Sequence, residues 1–181
     1  LSKESGKALA QALAENTVLK SLDVSDNQDK YGDGSICIRG NLDGAGFAKE
    51  LAIGISTNGA LEKLLMGANN IHGAEAGKAL GDAVAANTML KELDLSAQNF
   101  DIYIQGNALD AAFAKGFADG LSSNGALTSL NLARNKLYAK GAKHVAEAIK
   151  VNVSALRFDW YHFELDLTSG STAVVSWILL S

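Results

Sequence analysis

The chain has 181 residues, 48% of them hydrophobic but only 7% aromatic, and its 16 basic and 20 acidic residues give a formal charge of −4. That length supports one domain with a sizeable core, while the acidic balance supplies neither a basic face for nucleic acid nor a polybasic patch for a membrane. Gly is abundant and Pro is absent, unlike a disordered linker, which enriches both; a lone Cys37 excludes an internal disulfide framework and favours a reducing intracellular compartment, cytoplasm or organelle interior.

From the N-terminus, LSKESGKALAQALAEN already carries helical spacing, with no Met and no secretory signal, as a processed product or a fragment would. VLKSLDVSDN (18–27) follows, and this ten-residue pattern returns as ALEKLLMGAN (60–69), MLKELDLSAQ (89–98), ALTSLNLARN (126–135) and, in degenerate form, SALRFDWYHF (154–163). The first four obey L-x-x-L-x-L-x-x-N with small changes, through Leu19/Leu22/Val24/Asn27, Leu61/Leu64/Met66/Asn69, Leu90/Leu93/Leu95/Gln98 and Leu127/Leu130/Leu132/Asn135. A period of this kind marks a repeat architecture, in which each unit is too thin to bury its own apolar face.

Between the copies lie segments with helical periodicity. An Asn stands three residues before each first motif position: Asn16, Asn58, Asn87, Asn124 and Asn152. Apolar residues recur seven before it (Leu9, Leu51, Leu80, Phe117, Val145) and three before it (Leu13, Ile55, Val84, Leu121, Ile149), two rows that share one helix face. Small residues ten before it (Gly6, Ala48, Gly77, Ala114, Ala142) are expected to let that face approach the strands. The Asn itself is expected to end each helix in the left-handed conformation, and Asn58-Gly59 and Asn124-Gly125 fit that reading. A row of Lys (Lys7, Lys49, Lys78, Lys115, Lys143) points away from the apolar face, and three of the five have an acid four residues on: Asp82, Asp119 and Glu147. A solvated face with weak ion pairs is the ordinary reading of such a row, and a basic docking stripe the sharper one.

The central strand positions Leu22, Leu64, Leu93, Leu130 and Phe158 are separated by 42, 29, 37 and 28 residues, so long and short repeats alternate. The extra residues fall between strand and helix, at 28–43 and 99–109, where SICIRGN (35–41) aligns with DIYIQGN (101–107). Both contain Ile-x-Ile, which argues for a short extended segment with one face buried. Such inserts either bind partners or fold over the edge of the core. Within the first, DKYGDGSICIRG (29–40) echoes a calcium loop, but Tyr31 holds the third position and Gly40 stands where a bidentate Glu is needed, so an ordinary polar turn fits better. The tail 164–181 leaves the pattern and ends in an apolar run too short to span a bilayer. It reads as a cap on the last repeat or as a docking segment.

The repeated motif resembles the ribonuclease-inhibitor subtype of leucine-rich-repeat proteins, over nearly everything from 2 to 163. The resemblance implies an α/β solenoid of about five repeats, a right-handed arc with parallel strands on the concave face and helices on the convex face. It further implies that the motif leucines point inward and that the residues between them line the concave sheet. The rows so exposed are Ser21, Lys63, Glu92, Ser129 and Arg157, then Asp23, Leu65, Asp94, Asn131 and Asp159, then Ser25, Gly67, Ser96, Ala133 and Tyr161. Of these, Asp23, Lys63, Leu65, Glu92, Asp94, Asn131, Arg157, Asp159 and Tyr161 are the candidate partner-binding residues, because interface energy concentrates in aromatic and Arg anchors set among polar neighbours. The motif positions Asn27, Asn69, Gln98 and Asn135 read as structural, their side-chain amides serving backbone groups of the adjacent turn.

No constellation for catalysis stands out. His72, His144 and His162 share no motif with Cys37 or a Ser, and neither His-x-x-x-His nor Cys-x-x-Cys spacing occurs. His72 begins a helix, where a capping role suffices. The Gly-rich pieces lack the endings of a phosphate or dinucleotide loop. No catalytic residue, metal or cofactor is therefore expected. The sequence favours a noncatalytic protein-binding or scaffolding module, as a subunit of a larger assembly held through the tail or the inserts. The alternatives are a regulator of an enzyme, an inhibitor or GTPase activator of the same repeat subtype, and a fragment of a receptor's sensing domain.

Overall fold

Each strand is only three residues long, and β2, β3 and β4 each bury one side chain, so no strand makes a core without its neighbours. The computed structural model describes residues 1–25, 43–97 and 107–151 in full, and 157–159 by their backbone. In chain order the elements are α1 (Lys3–Glu15), β1 (Ser21–Asp23), α2 (Gly44–Thr57), β2 (Lys63–Leu65), α3 (Gly73–Ala86), β3 (Glu92–Asp94), α4 (Ala111–Ser123), β4 (Ser129–Asn131), α5 (Tyr138–Val151) and β5 (Arg157–Asp159). The strands form one sheet in the order β1-β2-β3-β4-β5. All neighbours are parallel, and Leu22, Leu64, Leu93, Leu130 and Phe158 stand side by side in register. A parallel pair needs a crossover, and each crossover here carries one helix, giving one layer of helices behind the sheet.

The core lies between the two layers. Leu64, Leu93 and Leu130 are at most 1% exposed, and they meet Phe47, Leu51, Leu80, Phe113, Phe117 and Val145 of the helices. Burying each such side chain is worth about 1.5–3 kcal/mol. At the β1 edge no further strand shields the motif, so Leu22 is only half-buried and Leu19 is 36% exposed. Leu22 still packs against the core and Val24 is buried in it, so of the motif positions at that edge Leu19 alone departs from the inward placement expected.

Side chains start three of the helices. Ser2 accepts from Ser5 N–H, Asp43 from Gly46 N–H and Asp110 from Phe113 N–H, satisfying amides that a helix's first turn leaves bare. His72 stands at the same place before α3 but does not cap it; its Nδ1 pairs instead with the Asn70 carbonyl at 2.8 Å.

The helices end differently from the sequence expectation. Asn16, Asn58, Asn87 and Asn124 are extended, with φ of −86°, −71°, −84° and −77°, and Gly73 is the only glycine of positive φ among the described residues. The cause is the side chain. Asn58 Oδ1 accepts the N–H groups of Ala60 and Leu61 at 2.9 and 2.6 Å, while its Nδ2 donates back to the carbonyls of Leu13 and Asn16 at 2.7 and 2.9 Å. Asn87 repeats this toward Ile55 and Asn58, and Asn124 toward Val84 and Asn87. Each amide thus closes its own turn and donates to the open carbonyls at the end of the preceding helix, which no left-handed cap would do.

The small-residue row also faces elsewhere than expected. A Cβ on Gly6 would lie 2.6 Å from the Phe47 carbonyl of α2, and one on Gly77 would strike the Phe113 carbonyl of α4. Gly54 likewise abuts Ala10 of α1, and Gly120 abuts Gly81 of α3. These glycines set helix against helix rather than helix against strand, and they bring α1 onto α2 and α3 onto α4 across the two long connections. The Lys row is exposed, and two of its expected pairs form, Lys78–Asp82 at 2.8 Å and Lys143–Glu147 at 3.9 Å, a solvated arrangement of small energetic weight.

Two glycine substitutions separate these readings. Gly120→Ala should lower stability by about 1–3 kcal/mol or more through backbone overlap. Gly125→Ala, where a Cβ meets nothing within 4 Å, should be neutral or raise stability by about 0.4–1 kcal/mol. Urea denaturation of both variants checks this, and a large loss from Gly125→Ala would restore the left-handed reading.

Candidate functional site

The strand residues that do not enter the core form an open polar face. Its first row pairs with itself: Lys63 Nζ lies 2.7 Å from Glu92 Oε1 on the adjacent strand, and just before the strands Lys20 Nζ lies 2.9 Å from Glu62 Oε1. These side chains are each two-fifths exposed or more, so the pairs are screened and contribute at most about 1 kcal/mol each. Their effect is to leave the row nearly neutral.

The middle row does two things at once. Asp23, Asp94 and Asn131 each turn one side-chain oxygen onto the amide two residues ahead, at Ser25, Ser96 and Ala133, at 2.8–3.0 Å. Short polar side chains favour this local turn, and it brings the chain off each strand. Asn131 Nδ2 also donates to Asp94 Oδ2 at 2.9 Å. The Asp23 carboxyl is held below its ordinary range, first by the Ser25 amide and then by the Ser25 hydroxyl, with the Lys63 charge adding a little. Among the strands whose side chains are described, only β2 lacks such a residue. Leu65 takes that place, half-buried and in register between Asp23 and Asp94.

The third row is less open than its spacing implies. Gly67 and Ser96 are buried, Ser96 at 6% exposure, because this row lies in the turn and its backbone joins neighbours: Ala68 N–H donates to the Ser96 carbonyl and Ala97 N–H to that of Ala133. Arg157 and Asp159 continue the first and middle rows in register. Tyr161 lies outside the described residues, as do Cys37, His162, the segment 29–40, the Ile-x-Ile segments of both inserts and the tail 164–181.

Beyond the face runs a second set of buried amides. Asn69 Nδ2 donates to the carbonyls of Val24 and Met66, and Asn135 Nδ2 to those of Leu95 and Leu132. Asn27 and Gln98 lie outside the described residues. The amide that serves the third unit is Asn107. Its Nδ2 reaches Met66 and Leu95 at 2.9 and 3.1 Å, and its Oδ1 accepts from Asn69 and Ile71 at 2.8 and 3.1 Å. Asn135 Oδ1 accepts from Leu109 in the same way. Each amide of the set bonds its own unit and also reaches the preceding one, Asn69 at Val24, Asn107 at Met66 and Asn135 at Leu95.

The fold is a leucine-rich-repeat solenoid. A family model described as Leucine Rich repeat matches residues 15–28. Among solved structures, the chain is similar to one titled Leiomodin-1 Actin-Binding Site 2, with a TM-score of 0.64 and 16% identity over 95% of this chain and 86% of that one. Comparison with curated proteins gives no match. An identity this low carries the fold and nothing of the function.

An open cleft of about 510 Å³ lies at the start of α2 and α3, bounded by Lys3, Asp43, Lys49, Glu50, His72 and Glu75. Its charges satisfy one another. Lys49 Nζ bonds Glu75, raising the lysine pKa and lowering that of the acid, and Lys3 stands 3.7 Å from Glu50. Among the described residues no three His, Cys, Asp or Glu side chains gather as metal ligands do, and no helix is long and apolar enough to cross a membrane.

Sequence reasoning missed Asn107 because it lies nine residues beyond the motif position, but a signal existed. It is the last residue of DIYIQGN, aligned with the last of SICIRGN. Replacing Asn107 with Leu should cost about 1–3 kcal/mol by stranding buried backbone groups, a loss that thermal unfolding followed by circular dichroism would register. An unchanged midpoint would mean that the amide is dispensable.

Proposed function

We propose that this leucine-rich repeat is a noncatalytic module that holds another protein against its sheet face, in the manner of a fixed subunit of an assembly. The observation that carries the reading is Leu65, an apolar side chain seated between two carboxylates on a face where the first-row charges Lys63 and Glu92 pair with each other. An apolar anchor ringed by polar groups is the usual make-up of a binding centre. Asp23 and Asp94 favour a partner segment that carries cations on either side of an apolar residue. Arg157, Asp159 and Tyr161 would extend the contact toward the far end of the sheet, with Lys63, Glu92 and Asn131 between.

The solved neighbour's title names an actin-binding site, so actin is the first defined partner to try. Co-sedimentation with actin and quantitative capture from native extract should be run with the wild-type chain and with Leu65→Thr, which removes the anchor while keeping a residue that suits a strand. A fixed, stoichiometric partner whose affinity falls about tenfold or more in the variant supports the proposal. Capture of a single small GTPase that depends on its nucleotide would favour the regulator reading instead. Equal capture by both forms would remove the sheet face from the account.

A further inference from the structure

We propose that a second docking surface lies on the rim between β4 and α5, and that it receives an acidic segment of a partner protein. The rim is RNKLYAKGAK (134–143): four cations and no acid within ten residues, in a chain whose net charge is −4. Lys143 has Glu147 at 3.9 Å. Lys136 and Lys140 are exposed and form no ion pair among the described residues. Between them in sequence stands Tyr138, 66% exposed, which contributes its ring to the surface rather than to the core.

Tyr138 also occupies a backbone conformation that its side chain opposes. Its φ is +47°. The residue at the same distance from the helix-closing Asn in the third unit is Gly73, with φ +83°, and glycine is the residue that tolerates this region without strain. A bulky side chain here costs about 1–2 kcal/mol, and the ring is mostly exposed. Of the four described non-glycine residues with positive φ, the others being Ala68, Asn70 and Arg134, Tyr138 is the aromatic one, and a strained, exposed ring beside Lys136 and Lys140 is the pattern of a binding residue.

Charge complementarity selects the occupant. Carboxylates would neutralise Lys136 and Lys140, and an apolar residue among them would lie on the tyrosine ring, the side-chain type that most often dominates interfaces. A nucleic acid needs a longer cationic track than this rim offers, and the acidity of the rest of the chain opposes a long polyanion or an anionic membrane. The surface is separate from the sheet face, so it stands or falls without the proposal for Leu65.

The probe is a short fluorescein-labelled peptide rich in Glu with one central Leu, titrated by anisotropy and mapped by amide chemical shifts. Saturable binding should weaken with salt and shift amides within 134–143. Lys136→Glu together with Lys140→Glu should reduce affinity about tenfold or more. Tyr138→Gly should hold or raise the unfolding midpoint, by relief of strain, and still weaken binding several-fold. A tyrosine with a merely structural role would show the stability gain with unchanged affinity, and that result would overturn the proposal. So would peptide shifts confined to the sheet face, no binding at all, or tighter binding of an oligouridylate or of phosphatidylserine vesicles than of the peptide.

Discussion

Everything in this molecule depends on the side-chain amide that ties one unit to the next. A three-residue strand and a single helix cannot retain a fold alone, because ordering the chain costs more than one buried leucine returns. The amides of Asn58, Asn87 and Asn124 close the turn from helix to strand, and their nitrogens bond carbonyls of the unit before. A second set, Asn69, Asn107 and Asn135, does the same where strand leads on toward helix. Both sets lie at or near the core, where an unmatched polar group is expensive. Stacking is therefore held in register by hydrogen bonds that exist only between correctly placed neighbours.

Close helix contact is the second constraint. The glycines on facing sides of α1 and α2, and of α3 and α4, let backbones meet with no side chain between them. Phe47 and Phe113, one on each second helix of a pair, then fill the space toward the sheet and are at most 1% exposed. The alternation of long and short repeats thus has a counterpart in the helix layer. With the helices fixed in this way, the polar side of the sheet is free of packing duties except where Asp23, Asp94 and Asn131 also shape the turns.

That division explains how the surface resolves into candidates. Side chains that serve a turn or a neighbouring charge are committed, and most of the sheet face is of this kind. Leu65 and Tyr138 are not. One sits where its neighbours carry a turn-forming Asp, and the other holds a conformation that its counterpart meets with glycine. Each departs from the repeat's own rule at an exposed or half-exposed place, where folding gains nothing from the departure.

The sequence alone determined the repeat, its period, the alternation of lengths and the register of the central leucines, because these follow from periodicity, and periodicity is local and additive along the chain. It also placed the Asn rows as structural. It misjudged how those residues act. Left-handed caps are the local preference of Asn and Asn-Gly, but the carbonyls that hold Asn58 extended belong to residues 42 and 45 positions earlier in the chain and become neighbours only after stacking. Asn107 was assigned no role for the same reason: its partners Met66 and Ile71 lie across a unit boundary. Tertiary structure likewise decided that the glycines face helices rather than strands, that the third row folds into the turn, and that Leu19 stays exposed, since each depends on which surface arrives opposite and whether one arrives at all.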